Sequence, residues 1–232
     1  MRVSDPAYDT LKRLHSLTGV IPVGAFLLEH LFTNSHALEG AAAFDAAAAF
    51  LGGLPYVTLI EAFTIWLPIL FHMVLGVVIA VGGQANVGRH GYARNWHYAL
   101  QRATGLFLVF FIVFHTWATR FNDAAMTAPS LYGYVREHLS HPGIFTLYLL
   151  GVTSACYHFG NGLFGFAIHW GLVTGERAQR RMGAFGLVVA LALALVGINS
   201  MLGFLGRGVV PFPRPHPTQA TAEAAALPGD RP

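Results

Sequence analysis

The chain has 232 residues, the length of a single domain; 54% are apolar and only 11% charged, against about 25% charged in a soluble domain. That balance excludes a water-soluble globule, and a formal charge of +3 offers no broad basic surface for nucleic acid. The single cysteine, Cys156, excludes an internal disulfide and a self-held iron–sulfur cluster, which needs about four thiolates; it reads as a small apolar helix residue.

In chain order, residues 1–13 read as a polar cytoplasmic N-terminal segment. The apolar run after them is long enough to be kept as a span rather than cleaved as a signal peptide. A membrane crossing takes about 20 apolar residues, and the sequence predicts five, at 14–33, 59–83, 100–119, 143–168 and 182–205. Residues 40–51, rich in alanine, and 131–139 predict short interfacial helices between spans. Pro22 and Pro68 fall inside the first two spans, where each frees a backbone carbonyl that a neighbour or ligand must satisfy. The expected architecture is an all-α integral membrane domain over 14–206, its first four helices forming an up-down bundle. The tail, 207–232, is rich in Pro, Ala and Thr and is expected to be disordered.

The basic residues orient this bundle. Arg2, Lys12 and Arg13, then Arg89, Arg94 and Arg102, then Arg177, Arg180 and Arg181 lie on one side. Arg120, Arg136, Arg207, Arg214 and Arg231 lie on the other, and the loop between spans one and two has no basic residue. Cytoplasmic loops carry the excess of Lys and Arg, so the N-terminus is expected in the cytoplasm and the C-terminus outside.

Four of the twelve histidines lie inside spans, one per helix: His30, His72, His115 and His158. A strongly polar group in a span needs a compensating partner or a function. At about 1.5 Å per residue, His30 and His115 lie about 5–6 Å from the outer ends of spans one and three. His72 and His158 lie about 15–16 Å from the inner ends of spans two and four. In an up-down bundle helices one and three are diagonal, as are two and four. Each same-depth pair therefore faces itself across the interior, which is what a six-coordinate haem iron requires of its protein. Two pairs imply two haems b, stacked along the membrane normal and suited to carrying electrons rather than binding oxygen. Gly76, Gly160 and Gly162 near these histidines would let a macrocycle approach, or would simply aid helix packing. A helix carbonyl one turn earlier is the obvious acceptor for each ligand's second N–H.

Haem propionates need cationic or hydroxyl partners. The inner helix ends offer Arg13, His15, Ser16, Trp96, Gln101, Arg102 and His169, and the outer end offers Arg120. The same side chains could serve a quinone, and the charge bias alone also explains the arginines. Glu29 and Glu61 are the carboxylates nearest the apolar zone, each a candidate for proton exchange with a quinone or a solvated helix-end group.

The segments RLHSLTGVIPVGAFLLEH, NWHYALQRATGLFLVFFIVFHTWATRF and YHFGNGLFGFAIHWG resemble the single-chain, five-helix, di-haem cytochrome b subunit of succinate dehydrogenase, shared with some fumarate reductases. The resemblance covers nearly all of residues 10–205. It implies that His30 and His115 hold the outer haem and that His72 and His158 hold the inner one. It also implies a cytoplasmic flavoprotein subunit that oxidises succinate, so that no succinate-oxidising site lies in this chain. An iron–sulfur subunit would dock on the inner face and deliver electrons from the tricarboxylic acid cycle to menaquinone in a bacterial cytoplasmic membrane; the complex could assemble further into a higher oligomer. Some fumarate-reducing relatives carry a glutamate two residues before the fourth ligand. Here that position is Cys156, which favours succinate dehydrogenase. Two other readings stand beside this one: a haem b anchor for a formate dehydrogenase or hydrogenase, and a transporter with metal- or proton-binding histidines. The second would place acidic residues at mid-membrane around one central site.

Overall fold

The computed structural model describes residues 6–83 and 87–209, all of them helix, turn or loop. Of the tail, 210–232 lie outside the described residues, as do Arg2 and residues 84–86.

The first span is longer than the sequence predicts. Helix α1 (Pro6–Val20) takes in most of the N-terminal segment and continues as α2 (Pro22–Ser35) and a 3₁₀ turn (His36–Leu38). Pro22 lacks an N–H and so interrupts the ladder, but bonds from Ile21 N to Leu17 O at 2.9 Å and from Ala25 N to Ile21 O at 3.0 Å keep the axis continuous. Helix α3 (Ala41–Gly52) is the first expected interfacial helix. The second span comprises α4 (Val57–Glu61), a π turn (Ala62–Trp66) and α5 (Leu67–Val81). The wide turn contains Thr64, whose carbonyl the Pro68 ring would otherwise strike one turn back, so it absorbs the proline within a membrane helix.

Helix α6 (Ala93–Ala118) forms the third span. The short α7 (Asp123–Met126) and α8 (Leu131–Ser140), the second expected interfacial helix, lead into α9 (Pro142–His169) and α10 (Glu176–Phe204). Four segments, Pro6–Leu38, Val57–Val81, Ala93–Ala118 and Glu176–Phe204, are long and apolar enough to cross a membrane. Helix α9 matches them in length at 28 residues but carries Thr, Ser, Asn and His along its course. It can do so because it lies between α10, α6, α1 and α8, which shield much of it from lipid.

Helices α1, α5, α6 and α9 pack in a closed ring in that order, and α10 lies outside it against α9 and α2. The diagonals are thus the first span with the third and the second with the fourth, as the topology predicts. The α9–α10 crossing is close because Gly160 and Gly186 meet backbone to backbone; a Cβ on either would overlap the other's carbonyl oxygen.

The end carrying α3, α7 and α8, which the charge bias of the sequence predicts to be the outer one, is capped by its own small core of Ala37, Phe44, Tyr132, Leu139, Met201 and Phe204. Asp45 on α3 accepts the Ser130 hydroxyl at 2.7 Å and the Tyr132 N–H at 2.8 Å, pinning the start of α8, where Ser130 is itself the N-cap. The Tyr132 hydroxyl donates to the Gly203 and Phe204 carbonyls, both at 3.2 Å. Asp45→Ala should cost about 1–2 kcal/mol. Thermal unfolding in detergent, followed by circular dichroism, should show a midpoint lowered by about 2–8 °C.

Candidate functional site

The helix register brings the four span histidines together in twos. The His30 and His115 rings, from α2 and α6, have centroids 5.6 Å apart at an interplanar angle of 77°. His72 and His158, from α5 and α9, have centroids 6.2 Å apart at 87°. Two imidazoles bound to one metal from opposite sides, with metal–nitrogen bonds of about 2 Å, hold their centroids about 6 Å apart. Among the described residues no group of three or more His, Cys, Asp or Glu is placed to hold a bare ion. Two protein ligands per level suit a metal whose remaining positions belong to a macrocycle.

Three of the four rings are oriented by groups on other helices. His72 Nδ1 lies 2.9 Å from the His15 carbonyl and His158 Nδ1 lies 3.1 Å from the Gln101 carbonyl. His115 Nδ1 lies 3.2 Å from the Tyr148 hydroxyl. An Nδ1–H committed to such an acceptor fixes the tautomer and frees Nε2 for coordination. The acceptor is therefore a neighbouring helix in each case, not the ligand's own helix one turn earlier as the sequence suggests. At His30, Asn34 Nδ2 donates to the His30 carbonyl at 2.7 Å and lies 3.4 Å from Nε2.

A cavity of about 970 Å³ opens around the inner pair, lined by His15, His72, His158, Gly19, Gly76 and Gly105 among others. It reaches Leu27 and Ile112, each three residues short of an outer histidine. The glycines face imidazoles: a Cβ on Gly19 would overlap His72, one on Gly105 would lie 2.9 Å from His158, and one on Gly76 would lie 3.0 Å from His15. Of the glycines singled out from sequence, Gly76 thus serves the His15 side and Gly160 serves the α10 crossing; Gly19 and Gly105 come from neighbouring helices. The outer pair is packed by rings instead, with Phe26 5.5 Å from His30, and Phe111 and Tyr148 5.8 and 5.6 Å from His115.

The cavity's inner mouth is where an anionic edge fits. Arg102 donates from Nη2 to the Ile79 carbonyl at 3.2 Å and stacks 3.8 Å over the Tyr98 ring. Its Nε and Nη1 are buried without a partner, as is His15 Nδ1. A buried guanidinium with free N–H groups is costly alone and is satisfied by a bidentate carboxylate. His15 also stacks on His72 at 3.9 Å and 13°. Ser16 donates to the Arg13 carbonyl at 2.8 Å and accepts from Trp170 Nε1 at 3.2 Å. Gln101 donates to the His158 carbonyl at 3.1 Å and accepts from Asn161 at 2.8 Å. His169 also lines this mouth.

Other expected site residues lie apart from it. Arg13 and Trp96 are exposed and off the cavity wall. Arg120 and Glu61 pair with each other, Nη2 to Oε2 at 2.9 Å, tying the second and third spans together at the outer end. Each thereby satisfies the other's charge. Glu29 accepts the Thr33 hydroxyl one turn along its own helix. The residues that sequence reasoning missed, Tyr148, Gly19 and Gly105, act across helices and have no local signal.

Apolar helices that turn paired imidazoles toward one another at two levels define a membrane cytochrome b. Residues 86–198 match the succinate dehydrogenase/fumarate reductase transmembrane subunit family. The chain is also 42% identical over 194 residues, 84% of its length and 96% of the relative's, to the succinate dehydrogenase cytochrome b558 subunit of Bacillus subtilis (strain 168). It belongs to this family of transmembrane cytochrome b subunits.

Proposed function

We propose that the chain anchors a succinate dehydrogenase in the membrane and holds two haems b, one between His30 and His115 and one between His72 and His158. The observation that carries this reading is the ring spacing, 5.6 and 6.2 Å at two levels of one bundle. When bound, a haem b with two imidazole ligands supplies one-electron transfer at iron and leaves no open position for oxygen.

The chain's own residues do the rest. The His15 and Gln101 carbonyls and the Tyr148 hydroxyl aim three of the four imidazoles. Gly19 and Gly105 keep the space before the inner pair clear. Arg102, half-buried with its Nε and Nη1 inaccessible and free of partners and its guanidinium braced on Tyr98, would hold the propionate edge of the inner haem, with His15 beside it. Iron–sulfur and flavoprotein subunits dock at the inner, cytoplasmic face under this reading, and menaquinone exchanges electrons within the membrane. Support comes from the succinate dehydrogenase named in the B. subtilis relative and from the basic residues concentrated at the inner end. Cys156, fully buried, offers no carboxylate two residues before His158, which favours succinate oxidation as the working direction.

A pyridine haemochrome assay on the purified chain, with haem supply ensured during expression, should give two haems b per polypeptide. His30→Ala should leave one. A colourless wild-type protein, or a His30→Ala variant that keeps both haems, would overturn the assignment.

A further inference from the structure

The acceptors that aim the proposed ligands are of two kinds. At the inner level the nearest acceptors are both backbone carbonyls, which no substitution removes; the Thr104 hydroxyl stands farther from His158 Nδ1, at 3.4 Å, and donates to the Leu100 carbonyl. At the outer level His115 meets a side chain, the Tyr148 hydroxyl, which α9 carries across the bundle to α6. The tyrosine is wedged in place, its ring edge-on to Phe111 at 5.4 Å, to Phe114 at 6.3 Å and to His115 itself at 5.6 Å. Its hydroxyl is held at His115 Nδ1 by packing that does not depend on the hydroxyl.

We propose that Tyr148 is the positioning residue of the outer site: its hydroxyl accepts the His115 Nδ1–H, fixes the ring's tautomer, and sets the reduction potential of the outer haem separately from the inner one. This rests on the ligand assignment above. An imidazole that donates its second N–H gains electron density on the coordinating nitrogen. That density stabilises ferric iron over ferrous iron and lowers the potential. Loss of the acceptor therefore raises it. A net hydrogen bond of ordinary strength corresponds to about threefold to tenfold in the reduction equilibrium, or about 30–60 mV for one electron.

The test is a potentiometric titration of the intact membrane complex, with the two haems resolved by low-temperature absorbance and electron paramagnetic resonance. Tyr148→Phe keeps the ring and its packing. It should raise the outer midpoint by about threefold to tenfold in equilibrium constant, shift the outer haem's g-values, and leave the inner midpoint unmoved. Tyr148→Gln, which restores an acceptor, should return the midpoint toward wild type. Loss of the outer haem in Tyr148→Phe but not in Tyr148→Gln supports the same role. An unmoved outer midpoint, an equal shift of both haems, or outer haem loss in both variants overturns it. His115→Ala separates the two claims. If that variant keeps both haems, the ligand assignment falls; if it loses one while Tyr148→Phe moves nothing, only the role of Tyr148 falls.

Discussion

His72→Ala is expected to strip the inner haem and leave one haem per chain, with succinate-driven quinone reduction by the assembled complex reduced at least about tenfold. His72 is the more demanding of the inner pair to lose. Its Nδ1 is tied to the His15 carbonyl and its ring carries the stacked His15 ring at 3.9 Å. Its removal unmakes one side of the proposed clamp and the support of the neighbouring imidazole together. That neighbour, stacked at 3.9 Å, is also close enough to stand in for it. The variant to measure beside it is therefore His15→Ala/His72→Ala, assayed for haem content by pyridine haemochrome. Two haems surviving in the double variant would sink the inner assignment. One haem, with the outer spectrum intact, is the expected result.

The second large effect falls on the fold. Gly160→Val places a branched side chain where α9 and α10 touch backbone to backbone, and the nearest obstacle is the Gly186 carbonyl, which cannot rotate aside. The helices must separate along a contact that also includes Ala190. Overpacking of this kind costs about 3 kcal/mol, which for a chain of this size lowers the unfolding midpoint by about 6–12 °C. Gly183→Ala is the matched control on α10, since its nearest neighbour is Phe164 at 3.9 Å; there a helix interior gains about 0.5–1 kcal/mol from losing glycine. Equal melting of Gly160→Val and wild type in detergent would show that the crossing tolerates separation.

The pairing of the four span histidines was legible in the sequence because it depends on one coordinate. Depth follows from counting residues along a helix, and which helices are diagonal follows from their number. What a side chain meets depends on the rotation of each helix about its axis, and one sequence does not carry that. So Gly160, beside a proposed ligand in the sequence, turns to α10, while Gly19 and Gly105, remote in the sequence, face the inner imidazoles. Glu61 and Arg120, 59 residues apart, read singly as a proton carrier and an anion partner, yet they satisfy each other. Asp45 sits in an alanine-rich stretch with no cue that Ser130 and Tyr132 will reach it. The reading of five spans also treated apolarity as uniform. Helix α9 departs from it because a helix surrounded by other helices need not be as greasy as one facing lipid.

The alternation of partners around the ring has a consequence for how the chain is made. Its second member arrives late in both proposed clamps, and at different times. The outer pair is complete once the ribosome has delivered His115. The inner pair waits for His158, 43 residues further on, roughly 2–9 s at about 5–20 residues per second. Under the proposed ligand assignment, both outer histidines are thus synthesised before the segment that closes the inner pair.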